Sequence, residues 1–590
     1  MDRDTAAPPP VAEARSPDAA ADMHRHPAWQ AVVLTVCAVG VAVPASLAAI
    51  GLTEAVLWLN DLLLIAPRAR IQYEAQGALV PLATVLVPAL GGLLMAVLLR
   101  LTSPEGRPLG PPDVIEAVQF DRSLPSLRGG VASTAAAMVA LGFGASVGQY
   151  GPMVYLGAML GGLVRRLRLA VPNLPAIAVA CGVAAAISTA FNAPIAGLVF
   201  AHEVVLRHYS TQAFAPTTVA AATGYVFANV IFGRPALFLV QFEGVAHGHE
   251  FLLFAVLGLL AAGLAILFMR LVLWVAGNAA RSRIPALLRP MAAGLAVGVT
   301  ALWLPDVLGV GREALRFATI EHAFGIGELT VLVGAKLALT ALCIGFGFAG
   351  GVFSPALLIG ILFGALYWTL LDATGAVATS GVAVYAICGM MALTSPVIGA
   401  PLTTILIVFE LTRNYDLTIA AMVAVVFSNL IAHRFFGRSL FDVQLARRGL
   451  DLSAGRDQAR LRAMRAVDHC TGDGIVATTD TAPAALLARL HRSHWSEAYV
   501  TDPEGRFLGL IRSGADGENW AEVLEEPPLR FDETTSVLQA MQTLRGFVGD
   551  AIPVVHSRDG RLLGVVSEAA LITAYLQTST ALRREENASL

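Results

Sequence analysis

The sequence predicts an all-α polytopic membrane protein with two inverted-repeat halves and broken helices, followed by a pair of small α/β modules. Three observations predict it. The 590 residues are 56% hydrophobic and only 14% charged. A soluble domain carries about 25% charged residues, so a soluble chain of this composition could not cover its surface. Charge is also segregated: residues 451–590 hold 34 of the 83 charged residues, whereas Asp372 alone lies between Lys336 and Glu410. Finally, a Gly/Pro pattern occurs twice at a fixed offset.

Taken in order, residues 1–28 are rich in Ala, Pro and Asp without periodicity. They read as a disordered arm, not a signal peptide, because the apolar run starts late and is too long for an h-region. Apolar stretches then follow one another through a domain expected over 29–450. Of roughly fourteen, many are shorter than the ~20 residues a plain spanning helix needs. Gly148 and Pro152, Pro194, Pro216, Pro355, Pro396 and Pro401 interrupt them. Broken helices at membrane depth are tolerated where protein or a wet cavity satisfies the freed backbone groups, which points to a channel or transporter.

The repeat supports this reading. Gly142, Gly144, Gly148, Gly151-Pro152, Gly157 and Gly161 correspond to Gly345, Gly347, Gly351, Ser354-Pro355, Gly360 and Gly364 at an offset of 203. Cys181-Gly182, Ala193-Pro194 and Glu203 recur as Cys388-Gly389, Ala400-Pro401 and Glu410 at an offset of 207. Two related halves are implied, about 78–235 and 252–437, and transporters place substrate where such halves meet.

From 451 to 590 the style is soluble α/β. Short strands are expected at 475–477, 498–501, 508–512, 552–555 and 563–567, with helices over 482–490 and 536–544. A Gly-Arg-x-Leu-Gly pattern at 505–509 and 560–564 marks two modules, about 465–515 and 522–578. The net charge of −3 carries no nucleic-acid footprint. Cys37, Cys181, Cys343, Cys388 and Cys470 lack paired spacing and read as small hydrophobes more than as disulfide or metal ligands.

A helix that starts inside a membrane presents N–H groups and a partial positive charge. It holds an anion without a full cation, which would release it too slowly. Segments 148–152 and 350–355 have this form: flexible glycines, then Pro in the first turn, where its missing N–H is harmless. A single Gly-Pro is usually a kink; the repeated pair favours an anion site at mid-membrane.

On these residues the chain resembles the CLC family of chloride channels and proton-coupled chloride exchangers. Gly148-Gln149-Tyr150-Gly151-Pro152, Gly350-Gly351-Val352-Phe353-Ser354-Pro355, Ala193-Pro194-Ile195-Ala196-Gly197 leading to Glu203, and Phe409-Glu410-Leu411-Thr412 carry the resemblance. The tail resembles a pair of CBS domains. The resemblance implies a homodimer in the lipid bilayer, with one anion pathway per subunit and a cytosolic CBS pair.

Exchangers of the family carry glutamate where this chain has Tyr150. That glutamate competes with the anion, swings aside and carries the proton. A phenol has a pKa of about 10 and a carboxyl about 4, so tyrosine stays neutral at pH 7. It plugs or lines the path, or donates its O–H to the anion. At the inner end, exchangers often carry Glu-Glu; here Glu203 is followed by Val204. His202 is either a substitute relay or a packed histidine. Glu203 and Glu410 read better as hydrogen-bonded to helix ends or across a dimer interface than as ion-path residues, although an intramembrane carboxylate is a functional candidate by default.

The resemblance also implies altered anion ligands. Leu109 stands where the family has a serine hydroxyl, and Phe441 where it has a tyrosine. Gly110, Gln149, Gly151 and the N–H groups of Val352 and Phe353 complete the expected site, which should bind anions more weakly and less selectively. In CBS pairs that bind nucleotide, a Ser/Thr is followed three residues later by Asp. Here Ser567 faces Ala570, and Ser513…Asp516 is one residue out of register. Nucleotide sensing is therefore a weaker expectation than an anchoring role, and no cofactor is expected otherwise.

The leading expectation is a non-enzymatic, passive, proton-uncoupled pathway for chloride and similar anions in a bacterial inner membrane, with N-terminus and CBS domains cytoplasmic. The alternatives are a proton-coupled exchanger relayed by His202, Glu203 or water, and a ligand-sensing receptor with a closed pore.

Overall fold

In the computed structural model, which describes residues 27–73, 77–122, 127–233, 244–375, 377–472, 474–517 and 519–587, the apolar stretches fold as helices. The first, Pro27–Leu62, starts just inside the arm expected over 1–28; residues 1–26 lie outside the described ones. Eight helical spans among the described residues are long and apolar enough to cross a membrane, from Trp29–Leu62 to Tyr415–Ala446. Shorter apolar helices, Leu127–Gly142, Pro194–Leu206, Val382–Ile398 and Pro401–Thr412, lie among them. The chain divides into two units: the larger reaches Phe436, and the smaller takes Gly437–Asn587 with the short piece Gln119–Arg122. The sequence reading put that division at 450.

The prolines act as the pattern implied at four positions. Pro194 and Pro401 open their helices, and Pro152 and Pro355 lie in the first turns of Tyr150–Gly162 and Phe353–Thr374. Two expected breaks are corrected: Pro216 and Pro396 sit inside the continuous helices Thr211–Tyr225 and Val382–Ile398. For Pro396 the reason is visible. Its missing N–H would leave the Ala392 carbonyl without a donor, and the Ser428 hydroxyl donates to it at 2.5 Å.

The halves are related by a local two-fold, seen in their hydrogen bonds. Gly148 and Gly351, equivalent at offset 203, form an antiparallel bridge in which each N–H donates to the other's carbonyl at 2.7 Å. Glu203 accepts from the N–H groups of Leu402 and Thr403 at 3.0 and 2.9 Å. Glu410 accepts from Ile195 and Ala196, their equivalents at offset 207, at 2.9 and 2.7 Å. Each carboxylate thus caps the helix of the other half. The sequence reading of these glutamates as helix-end acceptors holds.

Close helix contacts explain the glycine spacing. A Cβ on Gly360 would lie 2.7 Å from the Gly389 carbonyl oxygen, and one on Gly157 would clash with that of Gly182. Only glycine permits this approach.

In the smaller unit, β1 (Ile475–Thr478), β2 (Glu497–Thr501) and β3 (Phe507–Arg512) form one sheet in that order. The sheet of β4 (Phe531–Asp532), β5 (Ile552–Val555) and β6 (Leu562–Val566) repeats it. In each sheet the first pairing is parallel and the second antiparallel. Helices Pro483–Leu490 and Val537–Thr543 occupy the expected places. The two-residue β4 and the helix Glu568–Asn587 were not foreseen. The modules meet through equivalent residues again: Phe507 N–H donates to Gly560 at 2.9 Å and Leu562 N–H to Gly505 at 3.0 Å.

Candidate anion site

Three helix starts converge at the glycine bridge. A Cβ added to Gly151 would lie 3.0 Å from Gly351 Cα and 3.6 Å from Pro111 Cδ. The N-terminal ends of Tyr150–Gly162, of the segment leading into Phe353–Thr374, and of Pro111–Gln119 are therefore neighbours. The first N–H groups of Tyr150–Gly162 and Phe353–Thr374 have no partner within their own helices and carry the positive end of the helix dipole, whereas Pro111 and Pro112 have no N–H to offer. Buried Gln149 donates its backbone N–H to Ser354 Oγ at 3.1 Å. Val352 and Phe353 are buried beside it in sequence.

The Leu109–Gly110 loop is held from both sides. Leu109 N–H donates to Ser133 Oγ at 2.8 Å. Gly110 N–H donates to the Asp113 carboxylate at 2.9 Å, and Arg107 binds the other oxygen of that carboxylate at 2.6 Å. Gly110, expected at the anion site, thus has its N–H engaged by a carboxylate.

Tyr150 is 7% exposed and sits in an aromatic cluster. Its ring stacks on Phe191 with centroids 4.1 Å apart, and Phe353 meets it edge-on at 5.2 Å. Phe191 and Phe353 meet at 5.3 Å, and Phe200 reaches Phe353 at 6.5 Å. Stacked and edge-on pairs of this kind hold a ring in place.

Val204 is buried in a π-helical turn, Ala201–Leu206, with His202 and Glu203. π-turns are rare and concentrate at functional sites. The His202 ring is fully buried, with Nδ1 2.9 Å from the His208 carbonyl and Nε2 3.0 Å from Thr217 Oγ1. A carbonyl accepts only, so Nδ1 carries a proton in this geometry. Glu203 additionally accepts from the Thr403 hydroxyl at 2.7 Å.

Phe441 belongs to the smaller unit. It is buried in helix Leu440–Ala446, behind a capping box of Ser439 and Asp442. The structure therefore brings together Gln149, Tyr150, Gly151, Val352 and Phe353, with the Leu109–Gly110 loop adjoining through Pro111.

A family model described as voltage gated chloride channel matches residues 91–433. The chain belongs to that family. A CBS domain model matches residues 520–577. A putative chloride channel protein ClcB-like of Ralstonia nicotianae is 35% identical over 370 residues, covering 62% of this chain and 86% of that protein. An H(+)/Cl(-) exchange transporter ClcA of Cronobacter sakazakii is 29% identical, covering 68% and 87%. Two solved structures share the fold. A slow cyanobacterial Cl-/H+ antiporter has a TM-score of 0.63 at 24% identity, covering 70% of this chain and 97% of its own. A eukaryotic CLC transporter has a TM-score of 0.62 at 21% identity, covering 92% and 98%.

Sequence reasoning missed Ser133, Phe191 and Phe200 in this CLC-family site. Ser133 lies 24 positions from Leu109 in a helix of small residues, where nothing marks it. Phe191 had one usable signal: it ends its helix just before Asn192, which takes a left-handed conformation.

Proposed function

We propose that this CLC-family protein conducts chloride and similar anions passively, without stoichiometric proton exchange. The observation that carries the proposal is the setting of Tyr150: a neutral ring stacked on Phe191 and Phe353 at a helix start where exchangers of the family have glutamate. A phenol neither mimics an anion by charge nor yields a proton near neutral pH. At the inner end Val204 is apolar and buried, and both His202 nitrogens are engaged. The anion site is formed by the helix starts at Gln149, Tyr150, Gly151, Val352 and Phe353. The Leu109–Gly110 loop lacks the hydroxyl of the family pattern, so affinity is low.

The protein acts as a homodimer in a bacterial inner membrane, with N-terminus and CBS pair cytoplasmic. The CBS pair serves as an anchoring module. Ser567 uses its hydroxyl to accept the Ala570 N–H at 3.2 Å. The cavity of about 760 Å³ lined by Ser496, Glu497, Arg512, Ser513, Glu525 and Asp550 carries three carboxylates and one guanidinium, a poor setting for a phosphate.

A second reading has support in the names of the relatives, since a 29% identical protein is an exchange transporter. It requires His202, Glu203 or water to relay protons. Flux in reconstituted vesicles separates the two: passive chloride efflux without proton movement supports the proposal, and proton uptake tied to chloride exit supports the exchanger. Absence of flux under every condition leaves the receptor reading.

A further inference from the structure

Between Phe251 and Pro305 the sequence has four arginines and no aspartate or glutamate. Arg281, Arg283 and Arg289 lie at or beyond the end of the spanning helix Glu250–Arg281. Arg270 does not: it sits eleven residues before that end, roughly 16 Å along the axis. It is exposed on the same helix face as Leu260, Leu267 and Trp274, which are exposed too. An arginine on an apolar stripe of a spanning helix is costly unless its charge is answered. Its one hydrogen bond to the Phe435 carbonyl, at 3.0 Å, fixes where the guanidinium points but brings no negative charge.

Phe435 ends a second spanning helix, Tyr415–Phe435, which runs beside the first in the same direction. A Cβ on Gly258 would strike the Ala424 carbonyl, and twelve residues further along Arg270 meets Phe435. The exposed stripe of this helix reads Met422, Val426, Leu430 and Arg434 at four-residue spacing, apolar and then basic. The Arg434 guanidinium lies over the Phe435 ring, 5.9 Å from its centroid. Residues 417–441 likewise include no acidic side chain. The chain enters the smaller unit at Gly437, so this end of both helices lies on the side where the tail leaves the membrane.

We propose that this end of the helix pair binds an anionic phospholipid. The headgroup phosphate sits between Arg270 and Arg434, and the acyl chains follow the stripes through Leu267 and Leu260 and through Leu430, Val426 and Met422. Trp274, further toward the helix end than Arg270, suits the headgroup level, where amphipathic rings collect. Basic pockets between spanning helices on the cytoplasmic side fit anionic headgroups, and a guanidinium pairs with a phosphate through two parallel hydrogen bonds. Phe435 holds both arginines, one by its carbonyl and one by its ring, so the two charges converge before a lipid arrives. The site is independent of whether anion movement is coupled to protons.

Native mass spectrometry of the purified, delipidated full chain tests this, with titration of phosphatidylglycerol or of phosphatidylcholine with the same acyl chains. The unmodified chain should bind phosphatidylglycerol in preference. Arg270→Gln with Arg434→Gln should weaken that binding roughly thirtyfold, at about fivefold per arginine, and leave phosphatidylcholine unaffected. Arg283→Gln with Arg289→Gln removes as much charge from the same end of the helix and should change phosphatidylglycerol binding by less than about twofold. Equal losses in the two double variants would show only the general attraction of a basic edge and would overturn the proposal, as would an unmodified chain without preference. A shifted monomer–dimer balance with unchanged lipid binding would assign the face to a second copy of the chain and overturn it as well. If the first double variant does not fold, Arg434→Gln alone decides, since it leaves the contact of Arg270 with Phe435 in place. A loss of about fivefold then supports the proposal, and unchanged binding overturns it.

Discussion

The rings of Tyr150 and Phe191 lie stacked with centroids 4.1 Å apart, and Phe353 closes on both of them edge-on. A carboxylate in place of Tyr150 would be drawn to the helix start when charged and released when protonated. An aromatic ring packed on two others has no such reason to alternate. In the proposed function, the stack is what ties Tyr150 to anion movement independent of protons.

Tyr150→Glu tests that link in one direction. The substitution removes the stack and installs a group with a pKa of about 4 before burial, so anion flux should become pH-dependent. Protonation neutralises the competing carboxylate, so flux should rise as pH falls. Proton coupling should stay weak while Val204 fills the inner position. Flux assays from pH 4 to 8 with simultaneous pH recording check both statements, and tight exchange from this single change would show that Val204 is no obstacle.

Tyr150→Phe separates the hydroxyl from the ring. The aromatic contacts remain, so flux should stay uncoupled. If the phenol donates to the anion, chloride affinity should fall about fivefold, as expected for one lost hydrogen bond of roughly 1 kcal/mol. Calorimetric titrations of both forms read this out, and tight chloride binding in either would contradict the low-affinity site proposed here.

The reciprocal caps make a prediction about stability. Glu203 and Glu410 each accept from N–H groups at the start of the other half's helix. Replacing either by Gln removes a charge from a helix N-terminus and should destabilise the protein by about 1 kcal/mol. Uncoupled flux should persist in both variants. Thermal unfolding in detergent and vesicle flux are the two measurements; abolished flux with intact stability would return these carboxylates to the ion path.

In the CBS pair, Tyr499 donates to the Ala551 carbonyl at 2.6 Å and joins β2 to the second module. Burial raises its phenol above the ordinary range, so it stays a neutral donor. Tyr499→Phe leaves the carbonyl without this donor and should cost the module pair about 1–3 kcal/mol. Limited proteolysis of the tail reports the loss, and no change in cleavage rate would argue against the contact.

Much of the architecture was legible because it rests on residues that cannot be exchanged. The glycines at 148 and 351 could be paired from the sequence, since the close bridge they form excludes any side chain. The prolines at 194 and 401 announced helix starts for the same kind of reason. What stayed hidden depends on contacts between residues far apart in the chain. Pro396 reads as a break until Ser428 supplies the missing donor. Phe191 is one apolar residue among many until it meets Tyr150. The π-turn at Ala201–Leu206 has no local signature, because it differs from an α-helix only in which carbonyl each N–H selects. Phe441 was named by motif, and the structure places it in the smaller unit.

Whether chloride drives proton movement tests the proposed uncoupled pathway head-on. The purified protein is reconstituted in vesicles loaded with high chloride, diluted into low chloride, and external chloride and pH are followed together. Chloride efflux is expected once valinomycin and potassium relieve the membrane voltage, with no uptake of protons against their gradient. Proton uptake in fixed proportion to chloride leaving would contradict it.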